Sequence, residues 1–143
     1  MASAASPRQE IIRAYRTLLR AGLQGVRYST PSRYVVVNQL RAAFRDPSAT
    51  FKTHFDLDKI MHTVTFLRLA GKYKGFESKI LKNICHVAWT RQMAKKMSWK
   101  QQFDMAASGK SKQIDRIKAT QYEHYDRTIR MLNETMGMCL PVQ

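Results

Sequence analysis

The stretch that decides the fold is IIRAYRTLLRAG, residues 11–22. Its apolar residues recur at helical spacing and form one stripe of an amphipathic helix over about 7–21. Arg13, Arg16 and Arg20, at i, i+3 and i+7, form a second stripe on the opposite side. The sequence therefore predicts a helix with one apolar and one basic face. The apolar stripe consists of Ile11, Ile12, Tyr15, Leu18 and Leu19.

Turn and cap signals divide the rest of the chain into further helices. The predicted segments are a second helix from Pro31 to before Pro47, a third over 57–70, a long segment over 76–107 with a break near 98, and a last helix over 111–136. The predicted boundaries are Ser6 and Asp56 as N-caps, Gly22 and Gly71 as stops, and Ser98 with Gln101 as a capping box.

The second segment is ambiguous, because the three valines of YVVVNQL (34–40) favour a strand. Val36, Leu40 and Phe44 nevertheless keep helical spacing, and helix is our interpretation. The predicted fold class is all-α, with a three-helix bundle over about 7–71 followed by an α-helical extension of two long helices. The predicted domains are 1–74 for the bundle and 75–143 for a basic helical extension, which could pack on the bundle as one domain.

Charge is the unusual bulk property of these 143 residues. Lys and Arg number 25 against 10 Asp and Glu, a formal net charge of +15, which predicts an anionic partner such as RNA, an acidic protein or a membrane surface. No stretch approaches the roughly 20 apolar residues of a membrane span. The first 45 residues are rich in Arg, and Glu10 is the only acidic residue among them. This composition is compatible with mitochondrial import.

Catalytic and metal-binding patterns do not emerge from the sequence. The four histidines are scattered, and Cys85 beside His86 has no second Cys/His pair at zinc spacing. Two cysteines, Cys85 and Cys139, are too few for a disulfide framework, and Cys85 is expected to be a buried structural residue. We therefore expect a non-enzyme without a bound metal.

An aromatic and basic stretch, CHVAWTRQMAKKMSWKQQF (85–103), could stack on RNA bases and neutralise phosphates. The equally weighted alternative is that the tryptophans belong to the core and the lysines to a solvated face. The candidate RNA-contacting residues are Arg91, Lys95, Lys96 and Lys100, with rings from Trp89, Trp99 and Phe103.

The arginines of the first two helices predict a docking surface. Arg41 and Arg45 on the second helix could adjoin the basic stripe of the first in a helical hairpin. Guanidinium groups are always charged and pair with carboxylates in bidentate fashion, so this surface suits an acidic helix or a phosphate.

The segments AYRTLLRAG and QLRAAFRDP resemble the signature of the LYR-motif family of small mitochondrial three-helix proteins. Tyr15 and Arg16 match the family's Tyr-Arg pair, Leu18 and Leu19 its leucines, Arg20 its later arginine, and Phe44 the phenylalanine of its second helix. YRTLLRAG, VRYST and LRAAFRD are most similar to the LYR proteins found on maturing mitochondrial large ribosomal subunits. Ala14 replaces the first leucine, and the resemblance covers about residues 8–74.

The resemblance implies an adaptor in the mitochondrial matrix that binds acylated acyl carrier protein. By resemblance, docking falls to Tyr15, Arg16, Arg20, Arg41 and Arg45. The acyl chain on the carrier's phosphopantetheine arm would enter an apolar interior formed by Ile12, Leu18, Leu19, Leu40, Phe44, Met61 and Val64. The adaptor itself would bind no cofactor directly.

The same resemblance implies association with large-subunit proteins and rRNA, as an assembly factor or a ribosome-bound component. Two alternatives stay open. One is an accessory subunit or assembly factor of a respiratory complex or an iron–sulfur pathway. The other is a basic helical RNA-binding protein without acyl carrier protein.

Overall fold

A computed structural model of the chain describes residues 7–45, 56–108 and 111–142, and these contain helices but no strand. The predicted all-α class is therefore confirmed, whereas the predicted cap Ser6 lies outside the described residues. The helices are α1 (Pro7–Gly25), α2 (Ser32–Arg45), α3 (Leu57–Lys72), α4 (Phe76–Lys95), α5 (Trp99–Ala107) and α6 (Ser111–Met136). The break near residue 98 is complete, so the described part of the extension holds three helices instead of two long ones.

Local cap chemistry sets two helix starts as predicted. The Asp56 carboxylate accepts hydrogen bonds from the backbone N–H groups of Asp58 and Lys59, at 3.0 and 3.3 Å. The Ser98 backbone N–H donates to the Gln101 side-chain oxygen at 3.3 Å, which is the reciprocal half of a capping box. These contacts depend only on neighbours in sequence, and they satisfy N–H groups that a helix start otherwise leaves unpaired.

Gly22 and Gly71 do not end their helices, and that prediction was wrong. The α1 helix continues to Gly25, and α3 continues to Lys72. A Cβ on Gly71 would lie 2.6 Å from the Gln24 carbonyl oxygen, and one on Gly25 would lie 3.0 Å from a carbonyl oxygen of α3. The glycines therefore allow a close backbone approach between α1 and α3, which local sequence does not reveal.

One hydrophobic core joins both halves of the chain. On α1 the buried stripe consists of Ala14, Leu18, Ala21, Gly22 and Gly25. From the later helices and the segment after α6, the core adds Leu81, Ile84, Cys85, Ile129, Met138 and Leu140. Burial of these side chains is what holds α4, and the far end of α6, against the bundle.

The segment 137–142, which we call the strap, folds back from α6 onto α3. The Asn133 side chain holds both the N–H and the carbonyl of Leu140, each at 2.9 Å. The Cys139 backbone N–H donates to the Thr63 hydroxyl at 3.0 Å. Two helices thereby position the strap over the interior of the bundle.

Candidate functional site

An apolar cavity of about 110 Å³ lies between α1, α2, α3, α4 and the strap. Its few polar side chains are those of Gln39 and Thr63. The other lining residues are Leu18, Gly22, Val36, Leu40, Ala43, Phe44, Leu67, Leu81, Ile84, Cys85, Cys139, Leu140 and Pro141. Such a lining gives water few hydrogen-bond partners and therefore suits a hydrocarbon group.

The α1 and α2 helices approach closely beside this cavity. A Cβ on Gly22 would lie 2.7 Å from Cγ1 of Val36, so the small residue on α1 makes room for α2. Further along, the rings of Tyr15 and Phe44 meet edge to face, with their centroids 5.1 Å apart. Tyr15 therefore supports the α2 wall of the cavity instead of projecting freely.

Five of the seven residues predicted for the apolar interior are at least half-buried. Leu18, Leu40 and Phe44 line the cavity, while Val64 is fully buried away from its lining and Leu19 is half-buried. Whether any of them meets an acyl chain stays a prediction.

Ile12 and Met61 were placed wrongly, since their side chains are 40% and 47% exposed. The buried stripe of α1 includes Ala14, and Ile12 lies about 160° around the helix from it. On α3 the buried stripe runs through Ile60 and Val64, and Met61 is turned about 100° away from Ile60. Hydrophobic spacing alone did not show which of two adjacent apolar residues faces inward.

The predicted docking arginines are all exposed. Arg16 and Arg20 lie on α1, and Arg41 and Arg45 lie on α2. None of the four forms an ion pair with a carboxylate in the part of the chain that the structure describes. Their charges are therefore available to an anionic partner, and the docking role itself stays a prediction.

Both thiols at the cavity are held in the protonated form. Burial raises the pKa of Cys85 to about 11. It also raises the pKa of Cys139, against the opposing effect of the hydrogen bond with Thr63. A thiol with a raised pKa is a poor nucleophile. No three His, Cys, Asp or Glu side chains within residues 7–45, 56–108 and 111–142 are grouped to hold a metal ion.

The predicted RNA contacts separate into two groups. Arg91 was placed wrongly, because its guanidinium forms an ion pair with Asp126 at 3.0 Å and lies 4.3 Å from the Tyr122 ring centroid. Lys95, Lys96 and Lys100 are exposed, as are the stacked rings of Trp99 and Phe103. The pairing of Arg91 depends on α6, 35 residues away, and no local pattern could predict it.

The sequence pattern also missed the wall that the strap contributes. Cys139, Leu140 and Pro141 line the cavity from a segment with no helical periodicity. The apolar run MCLPV was the available signal, because an apolar run directly after a helix favours packing back onto the core.

Comparison with known proteins gives a relative for this chain. No protein-family model matches it, and no solved structure matches it. Within the described residues, no helix is both long and apolar enough to cross a membrane. The chain is 34% identical over 89 residues to a UPF0593 mitochondrial protein of Schizosaccharomyces pombe, covering 61% of this chain and 69% of the yeast protein. At that identity and coverage, the chain belongs to the UPF0593 family of mitochondrial proteins.

Proposed function

We propose that this protein is a LYR-type adaptor of the mitochondrial matrix that binds acylated acyl carrier protein and associates with the large ribosomal subunit. The observation that carries the proposal is one arrangement on α1 and α2. The same two helices line an apolar cavity and carry four exposed arginines that pair with no described carboxylate. This arrangement suits an anionic protein that delivers a hydrocarbon chain, because the arginines would pair with its carboxylates and the cavity would hold the chain.

Docking would rest on Arg16, Arg20, Arg41 and Arg45. Acyl carrier protein is acidic, and arginine pairs with carboxylates in a bidentate geometry that fixes orientation. Charges at the rim of an interface mainly raise the association rate and suppress wrong partners. The binding free energy would then come chiefly from the buried hydrocarbon, at about 0.8 kcal/mol per methylene.

The cavity suits an alkyl chain in its chemistry but holds only a short part of one. Its volume of about 110 Å³ is below that of an engineered apolar cavity of about 150 Å³ that binds benzene. A longer chain therefore requires a wall to move. Among the described lining residues, those of the strap have non-helical backbone, and the strap is held by hydrogen bonds with the side chains of Thr63 and Asn133 instead of a helical backbone ladder.

Co-purification with acyl carrier protein tests the docking assignment. Arg16→Glu combined with Arg20→Glu should abolish recovery of the carrier, because two attractive contacts become repulsive. The matched control is Lys95→Glu with Lys96→Glu, which changes the net charge equally at the far end of α4. Wild-type recovery with the α1 variant, or equal loss with both variants, contradicts the assignment.

Sedimentation of mitochondrial extracts distinguishes the possible clients. Association with the large ribosomal subunit predicts that the protein migrates with rRNA and is released by salt. A role in a respiratory complex or iron–sulfur pathway predicts migration with that assembly instead. Migration with neither would remove the client assignment and leave carrier binding to be judged by co-purification.

A second candidate is a basic RNA-binding protein without acyl carrier protein. It is favoured by the net charge of +15 and by the exposed Trp99–Phe103 stack, whose ring centroids lie 5.7 Å apart. Recovery of RNA with no acyl carrier protein in the native complex, as measured by mass spectrometry, would establish it in place of the adaptor.

A further inference from the structure

At one end of the bundle, the loop between α1 and α2 meets the last turn of α3, directly before the connection to α4. The Arg27 guanidinium Nε donates to the Gly71 carbonyl at 3.2 Å and joins the two. An open groove between them is lined by Gln24, Arg27, Tyr28, Arg68, Gly71 and Lys72. We call the exposed residues here the loop patch: Arg27, Tyr28, Arg68, Lys72, Tyr73 and Lys74.

The backbone of the first loop is unusual for its sequence. Arg27 and Tyr28 have φ of 53° and 55°, a left-handed conformation that normally favours Gly or Asn. Backbone hydrogen bonds from Arg27 to Gln24 and from Tyr28 to Leu23, at 2.9 and 3.0 Å, fix this turn. Two strained residues with large side chains, in place of glycines, point to a use for those side chains.

Four cations of the loop patch carry charge that the described residues do not neutralise. Arg27, Arg68, Lys72 and Lys74 are all exposed, and none forms an ion pair with a described carboxylate. Glu77, at the start of α4, is the acidic residue nearest in sequence and is half-buried. Like charges around one groove repel each other, and a polyanion in the groove would remove that repulsion.

Two exposed rings accompany these cations. The side chains of Tyr28 and Tyr73 are 58% and 54% exposed, and the Lys72 ammonium lies 5.2 Å from the Tyr73 ring centroid. Exposed rings interleaved with cations provide stacking surfaces beside phosphate contacts, as single-stranded nucleic acids require. A membrane surface would instead favour a continuous apolar face, whereas this groove is lined mostly by charged and hydroxyl-bearing side chains.

We propose that the loop patch binds single-stranded RNA. Arg68 and Lys72 contact the phosphates, and Tyr28 and Tyr73 stack on the bases. None of these residues belongs to the docking arginines of α1 and α2, so the proposal does not depend on binding of acyl carrier protein. The loop patch would then be the surface through which the ribosome-associated protein contacts rRNA.

Fluorescence anisotropy with a labelled 20-nucleotide oligouridine tests the proposal on the purified full chain. In Arg68→Ala/Lys72→Ala, two phosphate contacts are lost. Each phosphate contact contributes about 0.7 to the slope of log affinity against log salt concentration. The slope should therefore drop by about 1.4, and the affinity at 0.1 M salt should fall about 25-fold. Tyr73→Ala should weaken binding by at least about fivefold through lost stacking, with the salt slope unchanged.

The matched control is Arg127→Ala/Arg130→Ala, which removes the same charge from exposed residues of α6, outside the loop patch. It should weaken binding less than threefold, and equal losses in the two double variants would show binding through net charge and overturn the proposal. Binding to vesicles rich in phosphatidylserine without binding to the oligouridine would also overturn it. Circular dichroism verifies that each variant is folded, which is expected because the substituted side chains are exposed.

Failure here and failure of the adaptor proposal are distinguishable. The Arg68→Ala/Lys72→Ala variant should still co-purify with acyl carrier protein at the wild-type level, while Arg16→Glu/Arg20→Glu should lose the carrier. Loss of the carrier in the loop-patch variant would place both partners on one surface and contradict a separate RNA site.

Discussion

Replacing Arg91 with methionine should destabilise the fold by about 3 kcal/mol. The Arg91–Asp126 ion pair has an N–O distance of 3.0 Å, with the two side chains only 12% and 16% exposed. Methionine keeps the apolar stem but leaves the Asp126 carboxylate mostly buried without its cation. Removing one partner of a buried pair costs about 3–5 kcal/mol, and the residual exposure of this pair favours the lower end. Loss of the contact with the Tyr122 ring contributes about 1 kcal/mol of the total.

Urea unfolding followed by circular dichroism measures this cost, and a double-mutant cycle isolates the pair. Asp126→Asn should also destabilise, and Arg91→Met/Asp126→Asn should be more stable than the sum of the single effects by about 2 kcal/mol. Lys95→Met, an exposed substitution on the same helix, should change stability by less than about 0.5 kcal/mol. If Arg91→Met instead preserves stability and weakens RNA binding, the structural role assigned to Arg91 is refuted.

Three further perturbations probe other contacts. Burial raises the pKa of Cys85 in the folded protein to about 11 from 9.0. The buried protonated thiol therefore stabilises the fold fully below pH 9, and this stabilisation is lost as the pH rises through 11. The unfolding free energy of the wild type should therefore fall by about 2 kcal/mol more than that of Cys85→Ala between pH 8 and 11. Gly71→Ala should lower the free energy of unfolding in urea by about 1–3 kcal/mol, because the new Cβ would meet a carbonyl oxygen of α1. The control Gly75→Ala should lower it less, because a Cβ there would meet only a flexible side chain. Equal losses in the two variants would contradict the close approach of α1 and α3. Thr63→Val removes the hydroxyl that accepts the hydrogen bond from the Cys139 N–H. The rate of alkylation of Cys139 should then rise about tenfold, while the rate for Cys85 should not change. An unchanged rate for Cys139 would show that this hydrogen bond does not hold the strap.

Local chemistry determined what could be predicted from the sequence. The Asp56 cap and the break at Ser98 were predictable because their hydrogen bonds join residues two or three positions apart. The helical interpretation of YVVVNQL was also confirmed, since the spacing of Leu40 and Phe44 outweighed the valines. Leu40 and Phe44, which the resemblance assigned to an apolar interior, both line the cavity.

Contacts distant in sequence account for what could not be predicted. Gly71 reads locally as a helix stop, yet its role is to let α3 touch α1. The local sequence suggests that Arg91 is a solvent-exposed cation, whereas in the structure it pairs with Asp126 on α6. The strap reads as a tail until Thr63 and Asn133 hold it. In each case the deciding partner lies on another element.

The spacing of the two basic surfaces along α1 determines whether one molecule can bind two partners. Arg16 is nine residues before Gly25 at the end of α1, about 14 Å at 1.5 Å per residue, whereas Arg20 is five residues before it, about 7.5 Å. The shorter distance is comparable to the Debye length of about 8 Å at physiological ionic strength, so an anion at one surface should repel an anion at the other only moderately. The oligouridine affinity of the complex with acyl carrier protein should therefore stay within about threefold of the free protein's affinity. A tenfold or greater loss in the complex would mean that the partners compete, and the chain would then act as a switch between them instead of a bridge.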